Sequence, residues 1–557
     1  MTTAPAAPAV APPATVAAAT ISLSLVSHTN AGKTTLARTL LGRDIGEVRD
    51  EAHVTEQAEG HTLIATPAGD RLQLWDTPGF GDSQRLARRM AQAGSPLGWL
   101  LGEVWDRWRD RPFWASQRAL RHVLAESDVV LYLVNAAEAP ADVGYLDAEL
   151  QILTLVGKPV IALLNQTGPA GAGAVAGGHD LEIGSADEPL LAAWRERLMG
   201  PRPGPSGAAS VVREVLALDA FTRCWVQEGV LWRAVARALP TDLARNAAFE
   251  RLRLAWQQRQ HALWSRALHE LARRMSRAAL DREALPPESW RGTLQNLGSA
   301  LGRGLGKLMG PPAGPAEPGN APSADIERAM ASLAERLDTD LRQSTQALIE
   351  WHGLDGRAQH EVMSRLAHHY AVRQPLDAGA AALWGGAVTG ALTGLKADLA
   401  SGGLTLGGGL LVGGVLGALS AVGAVRGVNK IRGLAQPQVA WDNAVLATLL
   451  ANALLGYLAI AHHGRGRGAW VAAEPPPRWL AAVQAVLAER QDAVDELWRQ
   501  RQVLLKAEPL DPQALQAPLA ALLHNASAAL LARLYPGADA VVTDDDASVG
   551  RASAVNG

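Results

Sequence analysis

The sequence predicts an α/β domain with a mostly parallel sheet, followed by a largely α-helical C-terminal region that carries a Gly-rich helical hairpin. Three observations predict this. Apolar runs of strand length alternate with helical patterns up to residue 220. A glycine-lysine loop joins the first such run to the first helical pattern. Beyond residue 221 the pattern is helical and ends in long uncharged stretches rich in glycine.

Each element has its own justification. "ISLSLV" (21–26) alternates and then runs apolar into the loop, and "TTLARTLLG" (34–42) has helical spacing closed by Gly42 as a C-cap. "RLQLWDTPG" (71–79) is a strand ending in a turn. "SDVVLYLVNA" (127–136) and "KPVIALLNQTG" (158–168) are continuous apolar runs, as expected of a parallel sheet covered on both faces, and "VREVLALDA" (212–220) reads as one more strand. Residues 80–126 are an Arg- and Trp-rich insert, and 169–210 read as a long Gly/Ala/Pro-rich loop with one short helix near 187–198. The expected division is a disordered Ala/Pro leader (1–20), the α/β domain (21–240), a helical region (241–375) with a linker near 310–324, the hydrophobic hairpin (376–432), a second helical region (433–535) and a disordered tail (536–557).

A net charge of −3 gives no global reason to expect nucleic acid, and no nucleic-acid motif is evident. The single cysteine, Cys224, excludes an intramolecular disulfide and fits a reducing compartment. The leader lacks the basic segment of a signal peptide. The paired histidines at 368–369 and 462–463 have no partners at metal-ligand spacing and read as surface or headgroup-facing residues. In the helix expected over 241–280, Phe249, Leu252, Trp256, Leu263 and Leu271 make one apolar face, opposite a solvated basic side.

"VSHTNAGKTT" (26–35) is a phosphate-binding loop by chemistry, with Ser27 where the usual pattern has its first glycine. Such a loop works because backbone N–H groups and a helix N-terminus converge on anionic oxygens. Gly32 lets the backbone approach, Lys33 supplies charge to the β/γ-phosphates, and the Thr34 hydroxyl reaches Mg²⁺. Serine at 27 is small and should cost modest strain. Ser27, Asn30, Ala31, Gly32, Lys33, Thr34 and Thr35 thus form the expected nucleotide cradle of a P-loop NTPase. "DTPG" supplies Asp76 for Mg²⁺ and Gly79 to sense the γ-phosphate, and Thr55 lies where a mobile threonine would close on the metal. Lys33, Thr55 and Gly79 are the residues expected to act on the transferring phosphoryl group.

"HTNAGKTTL…T…DTPG" resembles the Era and tRNA-modification type of P-loop GTPase. More narrowly, "DAFTRCWVQEGVLW" (219–232) and "GGLTLGGGLLVGGVLGAL" (402–419) resemble a bacterial family of such GTPases with a C-terminal domain of unknown function. The resemblance implies GTP and GDP as ligands, Mg²⁺ as cofactor, and a homodimer through the GTPase domain. It also implies a K⁺ ion at Asn30, whose competing role is to brace the loop by hydrogen bonds. Phe80 stands where other GTPases carry a water-positioning glutamine. The base-recognition pattern N-K-x-D is here "NQTG": Asn165 is present, Gln166 replaces lysine, and Gly168 has no carboxylate. Asp219 either replaces that carboxylate or caps the helix beginning "FTRCW", so guanine selectivity stays open.

The 27 uncharged residues 399–425 are long enough to cross a bilayer. Gly386, Gly390 and Gly394, like Gly409, Gly413 and Gly417, recur every four residues, and Arg426, Lys430 and Arg432 follow as a cytoplasmic flank would. A hairpin at the inner membrane, meeting lipid or a membrane protein, and a glycine-packed helix pair in a soluble domain both fit this spacing. Run 443–461, broken by Asn452, reads as a buried helix. The expected function is a cytoplasmic, slow GTPase switch coupled to a helical region that touches the inner membrane. The alternatives are a dynamin-like membrane-remodelling NTPase and a nucleotide-binding membrane scaffold without hydrolysis.

Overall fold

The computed structural model describes residues 18–29, 31–42, 59–92, 111–166, 188–200, 210–221, 224–285, 324–354, 438–441, 443–463, 477–507, 511–535, 537–538 and 541–542. Asn30, Thr55, most of the leader, the 310–323 linker, the 376–432 hairpin, the paired histidines at 368–369 and nearly all of the tail lie outside these residues. The chain divides into two compact units, 1–167 with 189–221 and 228–259, and 168–188 with 222–227 and 260–557.

The first unit is built on a six-stranded sheet, comprising β1 (Thr20–Ser27), β2 (Glu59–Ala65), β3 (Arg71–Asp76), β4 (Val129–Asn135), β5 (Val160–Asn165) and β6 (Val212–Ala217), in the order β2-β3-β1-β4-β5-β6. All neighbours are parallel except β2, which runs antiparallel to β3 at the edge. β4 and β5 are buried almost throughout, because helices cover both faces. The sequence did not single out β2, and its burial explains why. Only Ile64 of its seven residues is buried, so the strand lacks an apolar signature.

The helices are α1 (Lys33–Leu41), α2 (Ser83–Gln92), α3 (Arg111–Glu126), α4 (Leu146–Val156), α5 (Glu188–Met199) and α6 (Trp225–Ala238). α1 ends on Gly42 at φ 65°, a left-handed C-cap. Among its described residues the insert 80–126 has the helices α2 and α3, which bury Leu86, Met90, Phe113, Leu120 and Val123 against Val130, Tyr132 and α4. Two registers place the site. Leu25 pairs Asp76, and Asn135 pairs Asn165, so β1, β3, β4 and β5 all end at the same edge of the sheet.

α7 (Leu243–Leu280) contains the division between the units. Phe249, Leu252, Trp256 and Leu271 are buried as expected, and Leu263 is half-buried. On the basic side of its first part, the exposed Arg245 and half-exposed Arg251 make ion pairs. Arg245 binds Asp128, and Arg251 holds Asp70 through two bonds of 2.8 Å.

In the second unit, β7 (Arg282–Ala284) pairs antiparallel with β8 (Gln438–Ala440). Around this ribbon are α8 (Ala324–Trp351), α9 (Asn443–Ala461), α10 (Pro477–Ala488), α11 (Gln491–Leu504) and α12 (Gln513–Leu534). α9 is the buried helix expected at 443–461. His462 and His463 are not surface residues, and this corrects the sequence reading. Both are buried at the end of α9, with the His462 ring between Trp479 and Tyr535 and its Nδ1 at 2.8 Å from the Leu458 carbonyl. Among the described residues one helix, α12, is long and apolar enough to cross a membrane. Half of its apolar window is buried against other helices, and Trp264 Nε1 donates to its Ser527 hydroxyl.

Candidate functional site: a phosphate loop at the sheet edge

β1 runs extended through Ser27 and delivers the chain to the N-terminus of α1. Among the described non-glycine residues only Gln166 has a positive φ, so Ser27 carries none of the left-handed strain a missing glycine might suggest. Gly32 does need to be glycine. Its φ is 91°, and a Cβ there would sit 2.6 Å from Asn165 Nδ2. The first turn of α1 holds no acidic residue, so its N–H groups and dipole stay available to an anion.

Lys33 is buried and donates from Nζ to Ser27 Oγ at 2.8 Å and, more weakly, to the His28 carbonyl at 3.4 Å. Burial pushes its pKa down, and the nearby charges of Asp76 and Glu149 oppose that shift. Thr34 Oγ1 donates to Asp76 Oδ2 at 2.5 Å. The other carboxylate oxygen, Asp76 Oδ1, is buried with no hydrogen-bond partner among the described residues. Burial raises the Asp76 pKa, with Thr34 and Lys33 pulling it back. An orphaned, desolvated carboxylate oxygen beside a threonine hydroxyl fits a hard divalent cation, which takes oxygen ligands directly or through water. Thr34 and Asp76 are therefore the residues that would hold Mg²⁺.

Gly79 closes the other side. A Cβ on it would meet Lys33 Nζ and Thr29 Cα, each at 3.1 Å. The loops are tied by Thr29 Oγ1 donating to the Phe80 carbonyl, by Phe80 N–H donating to the Ser27 carbonyl, and by Ser116 of α3 bridging Gly79 O and Gly81 N–H. Phe80 itself is fully buried and offers no group to a water.

Asn165 is a structural hinge-pin. Its Nδ2 donates to the Ala31 carbonyl and its Oδ1 accepts from Ala220 N–H, both at 2.8 Å. Thr35 is buried in the first turn of α1. Asp219 does not cap the next helix, which starts only at Trp225. Its Oδ1 instead accepts from Phe221 N–H at 2.7 Å, an Asx turn.

The structure thus brings together Ser27, Ala31, Gly32, Lys33, Thr34, Thr35, Asp76, Gly79 and Asn165, with Asn30 and Thr55 outside the described residues. The sequence reading missed Thr29, His28, Ser116, Tyr132 and Glu149. Glu149 had a signal: it is a lone carboxylate on the apolar stripe of Leu146, Leu150 and Leu153.

Residues 22–166 match the family model for "50S ribosome-binding GTPase". Against curated proteins the sequence has no match. Similar solved structures include Era of Aquifex aeolicus bound to GDP and aluminium fluoride, with 18% identity, 40% of this chain covered and a TM-score of 0.27. The chain spans 58% of the length of that structure. A structure of GTPase components of the chloroplast translocon matches at 12% identity over 40% of this chain and 84% of that one, with a TM-score of 0.24. A member of a bacterial dynamin pair matches at 9% identity over 91% of this chain and 77% of that one, also with a TM-score of 0.24. The family match and the cradle formed by Gly32, Lys33, Thr34 and Asp76 lie on the same stretch of chain: residues 22–166 are a P-loop GTPase domain.

Proposed function

We propose that the chain binds GTP and GDP with Mg²⁺ and hydrolyses GTP slowly, acting as a switch coupled to its helical C-terminal region. The observation that carries this reading is the Thr34–Asp76 pair with its orphaned carboxylate oxygen, set beside Lys33 and Gly79. When bound, Mg²⁺ supplies charge neutralisation to the phosphate oxygens. Lys33 leaves Ser27 for the β/γ-phosphates, the N–H groups of the Gly32–Thr34 turn cradle them, and the Gly79 N–H meets the γ-phosphate. Thr55 would add an oxygen ligand to Mg²⁺. Water attacks the γ-phosphate in line. Phe80 is buried where a water-positioning glutamine would stand, so turnover is expected to be slow unless a second copy or partner completes the site.

Two finer parts belong to the same reading. K⁺ at Asn30 adds positive charge beside the phosphates, so Asn30→Ala removes K⁺ stimulation and leaves Mg²⁺-nucleotide binding largely intact. Equal turnover of the unmutated protein in Na⁺ and K⁺ would dismiss the ion. Residues 378–425 hold the protein at the inner membrane, so deleting them releases it from the membrane fraction. A full-length protein recovered entirely in the soluble fraction would dismiss the membrane role.

The primary test is calorimetric titration of the full chain with GTP, GDP and ATP in Mg²⁺ and K⁺, alongside phosphate release. GTP preference with release supports the switch. Equal GTP and ATP affinity makes the protein a general NTPase. Binding without release at any protein concentration makes it a nucleotide-binding scaffold, and absence of binding overturns the reading.

A further inference from the structure

The loop's first half is held by a polar chain that phosphate binding itself does not require. The His28 ring stacks on Tyr145, with centroids 3.9 Å apart and planes within 10°. His28 Nδ1 lies 2.8 Å from Glu149 Oε1, and the other carboxylate oxygen accepts from the Tyr132 hydroxyl at 2.7 Å. Glu149 and Tyr132 are fully buried, whereas His28 keeps about a third of its side chain exposed at the loop. Tyr132 pairs Val26 across the sheet, so the chain returns to the strand that feeds the loop.

A buried carboxylate is an expensive way to fill a helix–sheet interface. Desolvation raises the pKa of Glu149, and hydrogen bonds from His28 and Tyr132, with the charges of His28 and Lys33, oppose that. Leucine would satisfy the apolar stripe of α4 at lower cost. Local rules are broken in this way where a site must be held in place. Phosphate loops gain affinity when their N–H groups are oriented before the ligand arrives.

We propose that Tyr132, Glu149 and His28 form a brace that preorganises the phosphate loop, making Glu149 and His28 positioning residues for nucleotide binding. The inference rests on the GTPase reading above. It assigns to α4 and β4 the job of aiming the loop, with the His28 carbonyl directed toward Lys33.

The test uses the full chain with GDP and Mg²⁺, measured by calorimetry, with melting of the nucleotide-free protein measured in parallel. His28→Ala, Tyr132→Phe and Glu149→Leu should each weaken GDP binding about tenfold, the scale of one lost hydrogen bond to a charged group. The His28→Ala/Glu149→Leu double variant should bind no worse than the weaker single variant, since both remove one unit. Glu149→Gln, which keeps the shape and can still accept from Tyr132, should restore most of the affinity. In turnover, KM should rise by more than kcat falls. If Glu149→Leu does not fold, His28→Ala and Tyr132→Phe decide the matter. Variants that melt lower yet bind GDP as tightly as wild type would reduce the trio to packing and overturn the brace. Additive losses in the double variant would do the same. A wild-type protein that binds no nucleotide would overturn the GTPase reading and the brace with it, an outcome distinct from unaffected variants of a binding protein.

Discussion

Ser27 shows how a single residue can look wrong in a pattern and be chemically sound. The backbone there is ordinary extended strand, so glycine would add only chain entropy. What serine adds is a hydroxyl that accepts from Lys33 Nζ. Lysine must leave that acceptor to reach a phosphate. Ser27→Ala is therefore expected to tighten nucleotide binding, by up to about fivefold for one net hydrogen bond. Calorimetry with GDP checks it, and weaker binding by the alanine variant would show that the hydroxyl serves the bound state instead. Gly32, Lys33 and Thr34 stood out in the sequence because a phosphate loop calls for those residue types at that spacing. His28 did not stand out, and Glu149 showed only as a lone carboxylate on an apolar stripe, because what joins them is a contact across 121 positions of sequence that no local spacing encodes. The cap offered for Asp219 failed for a related reason. An Asx turn and a helix cap share the same side-chain geometry, and only the start of the helix at Trp225 tells them apart.

At the scale of elements, strands and helices with a strong apolar signature were legible, and the edge was not. β2 exposes most of its residues, and its place is secured by the turn that joins it to β3. Asp70, in that turn, is the organising group: it accepts from Ala19 N–H and Thr66 Oγ1 and takes two bonds from Arg251 of α7. Arg251 first of all, by hydrogen bonding, holds the Asp70 pKa down at about 2, well below the ordinary carboxylate value. A carboxylate depressed in the folded state stabilises it above the unfolded pKa, and that stabilisation is lost as pH falls through the folded one. Asp70→Asn should thus be less stable than wild type at pH 7, with the gap closing between about pH 4 and pH 2. Urea melts across that window check it, and a gap independent of pH would mean that shape rather than charge holds the turn. The second unit has its own polar anchor in Arg501. It is fully buried on α11 and donates to the carbonyls of Ala279 and Trp441 and to Asn443 Oδ1. Arg501→Met would strand those acceptors away from water, at a cost of roughly 3 kcal/mol or more. Denaturant unfolding monitored through the helical signal measures that loss.

At the scale of the whole molecule, the end of the α/β domain turns on what the first part of α7 contributes to it. The sequence reading ends this domain at residue 240. The first compact unit takes in residues up to Arg259. The added stretch of α7 is not ornamental to that unit. Arg245 binds Asp128, whose second oxygen accepts from Ser22 N–H in β1, and Arg251 binds Asp70. Trp256 meets Trp232 of α6 edge to face at 6.2 Å, and Phe249 and Leu252 are buried beside these contacts in sequence. A fragment ending at 240 leaves Asp70 and Asp128 without their arginines and removes three large apolar side chains from burial, each worth about 1.5–3 kcal/mol. A fragment of residues 18–259 should therefore melt several degrees above one of residues 18–240, and the difference should narrow in high salt as the two ion pairs are screened. Both fragments retain the phosphate loop, Asp76 and Asn165, so GDP should raise the melting temperature of each. Equal melting temperatures would place the boundary at 240 after all and make the first part of α7 a linker. A shorter fragment that aggregates, while the longer one melts cooperatively, would place it at 259.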